Sequence, residues 1–353
     1  MRALLLSVFI MTLALKASPA RPINPPASEF PPVSAWLNAT ELSLSRLRGR
    51  KVVVIAFINP TSINSVRVLP ALHAWFDRYS LSQVMVIGVL TPDLNFHREA
   101  VWAKKLLKRY GVDYPVILDS DRRIWKAYGN EGWPALYLID QHGRIVFDRL
   151  GEGGYQEFEK ELRLALADLI GVAALPPATA IVDSPQRECG SITPEISLGA
   201  RPGAKPPLSL DKDRSVRRSL IVEARDSETA HHGRWDTSPD GLRLAQTNKT
   251  QSAFFRVVYH AAQALAVMSP AETGTTRVFI KQDDLWLHEG NKGNDIQFDD
   301  DGRSYVLLDS PRLYDLTRDS IHTPHELFLI PDRQGTTVHG FSFSDACVVT
   351  TLP

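Results

Sequence analysis

Residues 51–70, KVVVIAFINPTSINSVRVLP, decide the fold of the first part of the chain. From Lys51 to Ile58 the sequence is mainly apolar and rich in β-branched residues, which predicts a strand buried on both faces of a sheet. After a short polar segment, apolar residues return at helical spacing from Leu69 to Phe76. The stretch therefore predicts a buried strand that leads into a helix, and Pro70 is expected to kink that helix because proline removes a backbone hydrogen bond.

The segments that follow this unit alternate between strand and helix. Short apolar runs bounded by turn residues predict strands, and longer runs with apolar residues on one side predict helices. Because the alternation closes with a hairpin, we expect a three-layer α/β domain over residues 35–170. The predicted strands are 83–90, 114–118, 135–139 and 145–147, and the predicted helices are 96–110, 122–128 and 155–170.

The composition changes on both sides of this domain. A proline-rich, extended lead-in is expected over residues 21–34, and small residues with prolines predict a linker over residues 171–192. Over residues 193–353 helical periodicity nearly disappears, and short extended runs are separated by turn signals such as Asp240-Gly241. Many short strands at this spacing indicate an all-β domain of the sandwich or jelly-roll type.

The first residues have the order of a secretory signal. Arg2 precedes an apolar run from Ala3 to Leu15, and Ser18-Pro19-Ala20 supplies small residues for cleavage. An uncleaved membrane anchor is the alternative, but the run is short for a bilayer span. We therefore expect a signal peptide over residues 1–20, cleaved near Ala20, and a soluble mature protein, periplasmic or secreted, without a membrane span.

The charge balance and the histidine spacing exclude two classes of ligand. Lys+Arg and Asp+Glu both number 40, so nothing attracts a polyanion such as nucleic acid. The histidine pairs lack a cysteine or acidic partner at zinc-site spacing, and an acidic turn lacks the other positions of a calcium loop. No metal and no cofactor are therefore expected. These segments are His231-His232, His322 with His325, and Asp299-Asp300-Asp301-Gly302.

The chain has two cysteines, Cys189 and Cys347, and neither stands in a Cys-x-x-Cys motif. Outside the cytoplasm, two thiols tend to form a disulfide, so we expect a structural bridge between them. Two buried, unpaired thiols are the alternative, since free cysteine packs as a small apolar residue.

The α/β domain, from about Trp36 to Ile170, resembles the exported thioredoxin-like proteins of bacteria, the membrane-associated TlpA or redoxin class. It is most similar to the soluble module fused to CcdA-type membrane domains in some cytochrome c maturation proteins. The all-β domain resembles the carbohydrate-binding-like sandwich that follows that module. The resemblance rests in the first domain on Phe57, Ser62-Ile63-Asn64-Ser65, Arg67, Leu69-Pro70, Trp133-Pro134-Ala135 and Gly151-Glu152-Gly153, and in the second on Thr193-Pro194-Glu195, Leu198-Gly199, Arg312-Leu313-Tyr314, Phe341 and Phe343.

The resemblance places Ser62 and Ser65 at the two cysteine positions of the family's Cys-Ile-Asn-Cys segment. Disulfide exchange needs a thiolate and a second sulfur, and a hydroxyl replaces neither. The resemblance also places Ala56 at the family's buried acid and Ile58 at its aromatic residue. We therefore expect a redox-inactive site with no catalytic residues, in which the serine hydroxyls cap the helix.

The resemblance further implies a cis-proline at Pro134, facing the start of the active-site helix. Trp133, Pro134 and the Ser62 loop are therefore candidates for a peptide-docking groove, since the family pairs a bound chain with this backbone. The alternative is that Pro134 only shapes the domain and Trp133 only packs. A catalytic serine is disfavoured because no Gly-x-Ser-x-Gly segment is present and His73 lies more than two helical turns away.

Three functions follow from these observations. The preferred hypothesis is a non-enzymatic, exported thioredoxin-like protein that binds or scaffolds an envelope protein or a glycan. The first alternative is an envelope thiol–disulfide oxidoreductase, in cytochrome c maturation or disulfide maintenance, which would require redox-active Cys189 or Cys347. The second alternative is a carbohydrate-binding module, although aromatic residues of a sandwich more often belong to its core. The aromatic candidates are Trp235, Trp286, Tyr305 and Tyr314.

Overall fold

A computed structural model describes most of the two predicted domains. The residues that it describes are 24–32, 35–181, 183, 191–199, 208–209, 225–246 and 252–345. The predicted signal peptide at residues 1–20, Cys189 and Cys347 lie outside the described residues. None of the helices within the described part of the chain is long and apolar enough to cross a membrane.

The first domain contains a six-stranded sheet in the order β1-β4-β3-β2-β5-β6. Strand β2 pairs in parallel with β3, and β3 pairs in parallel with β4, whereas β1, β5 and β6 pair antiparallel to their neighbours. The strands are β1 (Ala35–Leu37), β2 (Val52–Ile58), β3 (Val84–Leu90), β4 (Val116–Leu118), β5 (Ala135–Ile139) and β6 (Ile145–Leu150), and the helices are α1 (Leu44–Leu47), α2 (Ile63–Tyr79), α3 (Ala100–Arg109), α4 (Arg123–Ala127) and α5 (Tyr155–Ile170).

Strand β2 is buried along its whole length because helices cover both faces of the sheet. Successive side chains of a strand point to opposite faces. Val54 and Ala56 accordingly belong to the core beneath α2, α3 and α5, whereas Ile55 and Phe57 belong to the core on the side of α1 and α4. The predicted three-layer thioredoxin-like α/β fold is confirmed.

The second region is all β, and its twelve-stranded sheet follows the path β10-β11-β18-β12-β17-β13-β16-β15, with β7, β8, β9 and β14 attached at the side. The prediction of an all-β region is confirmed. Its strands are β7 (Ile196–Ser197), β8 (Leu208–Ser209), β9 (Thr229–His232), β10 (Arg234–Ser238), β11 (Gly241–Gln246), β12 (Phe254–Ser269), β13 (Thr276–Gln282), β14 (Leu285–Trp286), β15 (Ile296–Phe298), β16 (Ser304–Leu308), β17 (Arg312–Pro331) and β18 (Thr337–Ser344).

Two long strands, β12 and β17, organise this region as an antiparallel pair. The first half of β12 also pairs with β9, and its second half pairs with β18. Rings from the first half of β12 stack on rings of β18, with centroids 5.8 Å apart for Phe255 and Phe341 and 5.2 Å apart for Tyr259 and Phe343. The sheet therefore folds over and encloses its own core, as in a sandwich.

Two extended runs in the sequence, residues 254–259 and 264–268, each predict a strand, but the structure joins them in the single strand β12. Residues 254–259 and 264–268 are joined through Ala261 and Gln263, where the register with β17 shifts. The chain bulges there instead of turning, because no glycine, proline or other turn residue interrupts it.

The two regions pack against each other on the side of helices α2 and α3. Leu265, Val267 and Leu313 of the β region belong to the same apolar cluster as the side chains of α2 and α3. The indole Nε1 of Trp102 in α3 also donates to the carbonyl oxygen of Pro311 at 2.7 Å. The β region consequently lies against the face of the first domain where α2 begins.

Candidate functional site

Ser62 occupies the N-cap position of α2, directly after β2, but its hydroxyl does not cap the helix. Its backbone is extended, with φ −108° and ψ 131°, and its side chain makes no capping hydrogen bond. Instead, Ser62 Oγ donates to Glu195 Oε1 at 2.8 Å. The expectation of a capping serine is therefore wrong at this position, because a carboxylate from the β region is within reach and is a strong acceptor.

Glu195 lies immediately before strand β7 and belongs to the β region, whereas Ser62 belongs to the first domain. Strand β7 is short and pairs with β18 through Gly340 and Phe341. The same Oε1 atom of Glu195 also accepts a hydrogen bond from Ser342 Oγ at 2.9 Å. Two hydroxyl groups, one from each domain, therefore donate to one carboxylate oxygen.

Ser65 is 1% exposed, and its hydroxyl stabilises the loop that precedes α2. Ser65 Oγ accepts the backbone N–H of Asn59 at 3.0 Å. The side-chain oxygen of Asn59 in turn accepts the backbone N–H of Thr61 at 3.1 Å and its hydroxyl at 2.7 Å. Ser65 therefore does not cap α2 either, and its role in the structure is to hold the loop between β2 and α2.

Ala56 and Ile58, the positions where the family has an acid and an aromatic residue, lie in the apolar core. Ala56 is fully buried and pairs with Gly88 on one side and Leu136 on the other. Ala56 belongs to the apolar cluster beneath α2, and a carboxylate buried there without a hydrogen-bond partner would be costly.

The peptide bond between Trp133 and Pro134 is cis, as the resemblance implies. The carbonyl oxygen of Pro134 accepts the backbone N–H of Gly151 at 2.8 Å. The ring of Trp133 packs on Trp125, with centroids 4.4 Å apart, and the Arg122 guanidinium lies 5.5 Å from its centre. Such a cation over an indole ring is attracted by the ring's electron density and fixes the ring's position.

Ser62 and Trp133, two of the residues predicted to form a docking groove, line one cleft, and the β region supplies one of its walls. Pro134 is buried and is not among the residues that line this cleft. The cleft has a volume of about 290 Å³. The first domain contributes Ser62 and Trp133, and Glu195 faces them from the second. The other residues that line it are Asn59, Thr61, Asp93, Leu94, Ile196, Ser197, Val267, His339, Gly340, Phe341 and Ser342.

Arg67, which the sequence singles out only as part of the family signature, joins the two domains beside the cleft. Its Nη1 atom lies 3.2 Å from Glu152 Oε2, and its Nη2 atom donates to Ser344 Oγ in β18. Burial raises the pKa of Glu152, and Arg67 offsets part of that rise. Arg67 is therefore a buried cation held between a carboxylate of its own domain and a hydroxyl of the other.

Two histidines near the cleft are neutral and fully engaged. His97 Nδ1 accepts the backbone N–H groups of Asp93 and Leu94 at 3.1 Å and 3.3 Å, so its proton is on Nε2, which lies 3.3 Å from Thr61 Oγ1. Burial, together with the nearby His339, lowers the pKa of His97 to about 3. Burial also lowers the pKa of His339. Neither histidine contacts Ser62 as a base.

Two further histidines lie beside carboxylates in the β region. His322 Nδ1 lies 2.6 Å from Asp345 Oδ2, and His325 Nδ1 lies 2.7 Å from Asp283 Oδ2. Among the described residues, no group of three or more histidine, cysteine or acidic side chains is arranged to hold a metal ion.

The aromatic candidates for a sugar platform separate into two groups. Trp235 is 8% exposed and Tyr314 is fully buried, so both belong to the core. Trp286 and Tyr305 are half-buried. They flank Phe279, with ring centroids 6.2 Å and 6.0 Å away.

The first domain has a thioredoxin-like α/β fold, and a large all-β region follows it. Ser62 and Ser65 place two hydroxyl groups at the start of α2, after the central strand β2. The family model described as Redoxin matches residues 25–163.

Among curated proteins, the chain is similar to Protein DipZ of Mycobacterium bovis, with 33% identity over 176 residues, which are 49% of this chain and 25% of DipZ. The chain thus spans about a quarter of the length of that relative. It is 26% identical over 146 residues to the thiol-disulfide oxidoreductase YkuV of Bacillus subtilis, covering 41% of this chain and 97% of YkuV. Among solved structures, a thiol-disulfide isomerase from Corynebacterium glutamicum has 27% identity and a TM-score of 0.35, covering 40% of this chain and 96% of that one.

Proposed function

We propose that this chain is an exported thioredoxin-like protein that does not exchange disulfides and that binds or scaffolds a protein or glycan partner of the cell envelope. The observation that carries the proposal is the hydrogen bond from Ser62 Oγ to Glu195 Oε1, at 2.8 Å. At the position where the family has its attacking sulfur, this chain has a hydroxyl engaged with its own second domain. Export rests on the predicted signal at residues 1–20.

The chemistry of the two serines supports a site without electron transfer. Exchange proceeds through a mixed disulfide, which needs a sulfur at both positions. Ser62 is 7% exposed and Ser65 is 1% exposed, and both hydroxyls are engaged within the chain. The site therefore serves the packing of the loop and of the two domains.

The mouth of the cleft offers a surface for a partner chain. Trp133 is partly exposed there. Leu150, which packs against Gly132, is 55% exposed. An extended polypeptide that lies beside Pro134 would meet both apolar groups. Capture of the partner from an envelope extract should weaken with Trp133→Ala and persist with Leu81→Ala, a remote and 94% exposed position.

Reduction of insulin disulfides tests the absence of redox activity. The unmodified chain is expected to give no turnover above the buffer rate. The variant Ser62→Cys with Ser65→Cys restores both sulfurs, and Ser80→Cys with Ser82→Cys adds two thiols elsewhere in the first domain as a matched control. Turnover by the unmodified chain would overturn the proposal.

Relatives named thiol-disulfide oxidoreductase support a second candidate, an envelope oxidoreductase. It would have to use Cys189 or Cys347, which both lie outside the described residues. If the unmodified chain reduces insulin and Cys189→Ser or Cys347→Ser abolishes that activity, this second candidate replaces the first.

The half-buried aromatic group of Phe279, Trp286 and Tyr305 supports a third candidate, a carbohydrate-binding module. Lys281 Nζ lies 5.0 Å from the ring of Trp286, so the face combines an aromatic plane with a hydrogen-bond donor. Binding on a glycan array that Trp286→Ala abolishes would favour this candidate. Trp235→Ala would not test it, because Trp235 is part of the core.

A further inference from the structure

The cleft between the domains contains an acid that the first domain does not supply. In the first domain, the position of the family's buried acid is Ala56, which lies among aliphatic side chains. Glu195 reaches Ser62 from the β region and contacts its hydroxyl at 2.8 Å, while Ser342 holds the same carboxylate oxygen at 2.9 Å. The distance is that of an ordinary O–H···O hydrogen bond, so Glu195 lies where it accepts a hydrogen bond from a protonated atom at position 62.

The charges around Ser62 are mainly negative. None of the described residues that line the cleft is a lysine or arginine. The nearest cation on the same helix is Arg67, and its guanidinium contacts Glu152 and Ser344. The titratable and charged groups that surround Ser62 are Glu195 before β7, Asp93 after β3, the neutral His339 of β18, and Arg67 of α2 with Glu152 after β6.

We infer that Glu195 controls the protonation of whatever nucleophilic group stands at position 62, so that the β region completes this site with the acid missing from the first domain. The inference deepens the proposed function and rests on it, because it explains why a hydroxyl is the stable occupant. A hydroxyl donates a hydrogen bond to Glu195, keeps its proton and stays neutral. A thiolate at position 62 would lie next to the Glu195 carboxylate with no proton between them, and the two negative charges would repel each other.

Two effects on a thiol at position 62 oppose each other. The amino terminus of α2 favours a thiolate, since it carries about half a positive charge spread over several N–H groups. Glu195 disfavours the thiolate with a full negative charge at hydrogen-bond distance, and it also accepts a bond from the protonated thiol. The full charge at shorter range is the larger effect. A cysteine introduced at this position is therefore expected to remain a thiol at neutral pH.

The test compares Ser62→Cys with the double variant Ser62→Cys and Glu195→Gln, both in the full chain. The rate of alkylation by iodoacetamide is followed against pH, and modification is read on the peptide that contains position 62 by mass spectrometry, so that Cys189 and Cys347 do not contribute. Because only the thiolate reacts, the midpoint of the profile gives the thiol pKa. Removal of the charge at position 195 should lower that pKa by at least about one unit and raise the rate at pH 7 about tenfold.

A third variant keeps the inference testable if the double variant does not fold. Ser62→Cys with Ser342→Ala retains the carboxylate and removes its other donor, so the pKa of the introduced thiol should rise further. Glu272→Gln, at an exposed glutamate remote from the cleft, is the matched control and should leave the profile unchanged.

An equal pKa of the introduced thiol with and without the Glu195 carboxylate would refute the inference, as would a lower pKa in its presence. Insulin reduction by the unmodified chain tests the proposed function separately, because that chain has a serine at position 62 and the assay involves no introduced thiol.

Discussion

Trp102 of α3 donates its indole N–H to the carbonyl oxygen of Pro311, just before β17, at 2.7 Å. The indole is buried, and its ring stacks on His97 with centroids 4.6 Å apart. A buried donor that loses its partner pays the cost of leaving water without compensation. This contact therefore links the position of the β region to the side chains beneath the cleft.

Trp102→Phe should destabilise the protein by about 1–3 kcal/mol, because the phenyl ring keeps much of the apolar contact but leaves the Pro311 carbonyl without its donor. Urea unfolding followed by circular dichroism measures the change. Leu81→Ala, at an exposed site, should stay within about 0.5 kcal/mol of the parent protein. If Trp102→Phe were as stable as the parent protein, the prediction would be contradicted. Water would then replace the indole N–H as the donor to Pro311 without loss of stability.

Ser65→Ala should cost more stability than Ser62→Ala. Removing the Ser65 hydroxyl leaves the buried N–H of Asn59 without an acceptor, at an expected cost of about 1–3 kcal/mol. Removing the Ser62 hydroxyl leaves Glu195 with its bond from Ser342, so the loss should be smaller. Thermal unfolding of the two variants in parallel compares them, and the reverse order of stability would contradict these hydrogen bonds.

Acid should destabilise the fold through His97. Burial, with a contribution from His339, lowers the pKa of His97 to about 3, whereas an unfolded histidine titrates near its ordinary value. Below about pH 6.5 the unfolded state therefore binds a proton that the folded state does not, and stability falls as the pH falls, by about 2 kcal/mol at pH 5. The free energy of unfolding, measured from pH 7 to pH 4, gives the slope of stability against pH. His97→Asn should flatten it, whereas His142→Asn, at an exposed site, should not.

His325 should act in the opposite direction. Burial alone would lower its pKa, but the hydrogen bond and charge of Asp283, with the charge of Asp319, raise it. The stabilisation by His325 is complete at pH values below its pKa in the unfolded state. It is lost as the pH rises through the pKa of His325 in the folded state. Because Asp283 is half exposed, the effect should not exceed about 1 kcal/mol. Asp283→Asn keeps the bond to the backbone of Glu326 and should reduce the loss of stability that begins as the pH rises above about 6.5, the ordinary pKa of histidine. Urea unfolding at a series of increasing pH values measures the change.

Local patterns in the sequence predict the first domain well. The run before Asn59 is apolar at every position of β2, and this burial follows from helices on both sides of the sheet. The cis bond between Trp133 and Pro134 is also present, as the family resemblance, and not a local pattern, implies. In the β region, the apolar pattern predicts strands, but it does not predict that residues 254–269 form one continuous strand. A bulge interrupts the pattern there without any turn residue that would mark it.

The cleft could not be predicted in the same way. Glu195 and Ser62 are separated by 133 positions, and no periodicity relates them. The sequence identifies Glu195 only as part of the motif Thr193-Pro194-Glu195. The sequence predicts that Ser62 caps α2, because serine is favoured at helix N-termini. In the structure, its hydroxyl instead makes a tertiary hydrogen bond with the carboxylate of Glu195.

The pairing of β7 with β18 joins two segments that are far apart in the sequence. Residues 196 and 197 find their partners at 341 and 340, close to the end of the last described strand. A ribosome releases the amino-terminal domain first, and pairings distant in sequence form last. Glu195 therefore reaches its position only after residues 340 and 341 have been synthesised, and until then the start of α2 lacks the wall that the β region supplies.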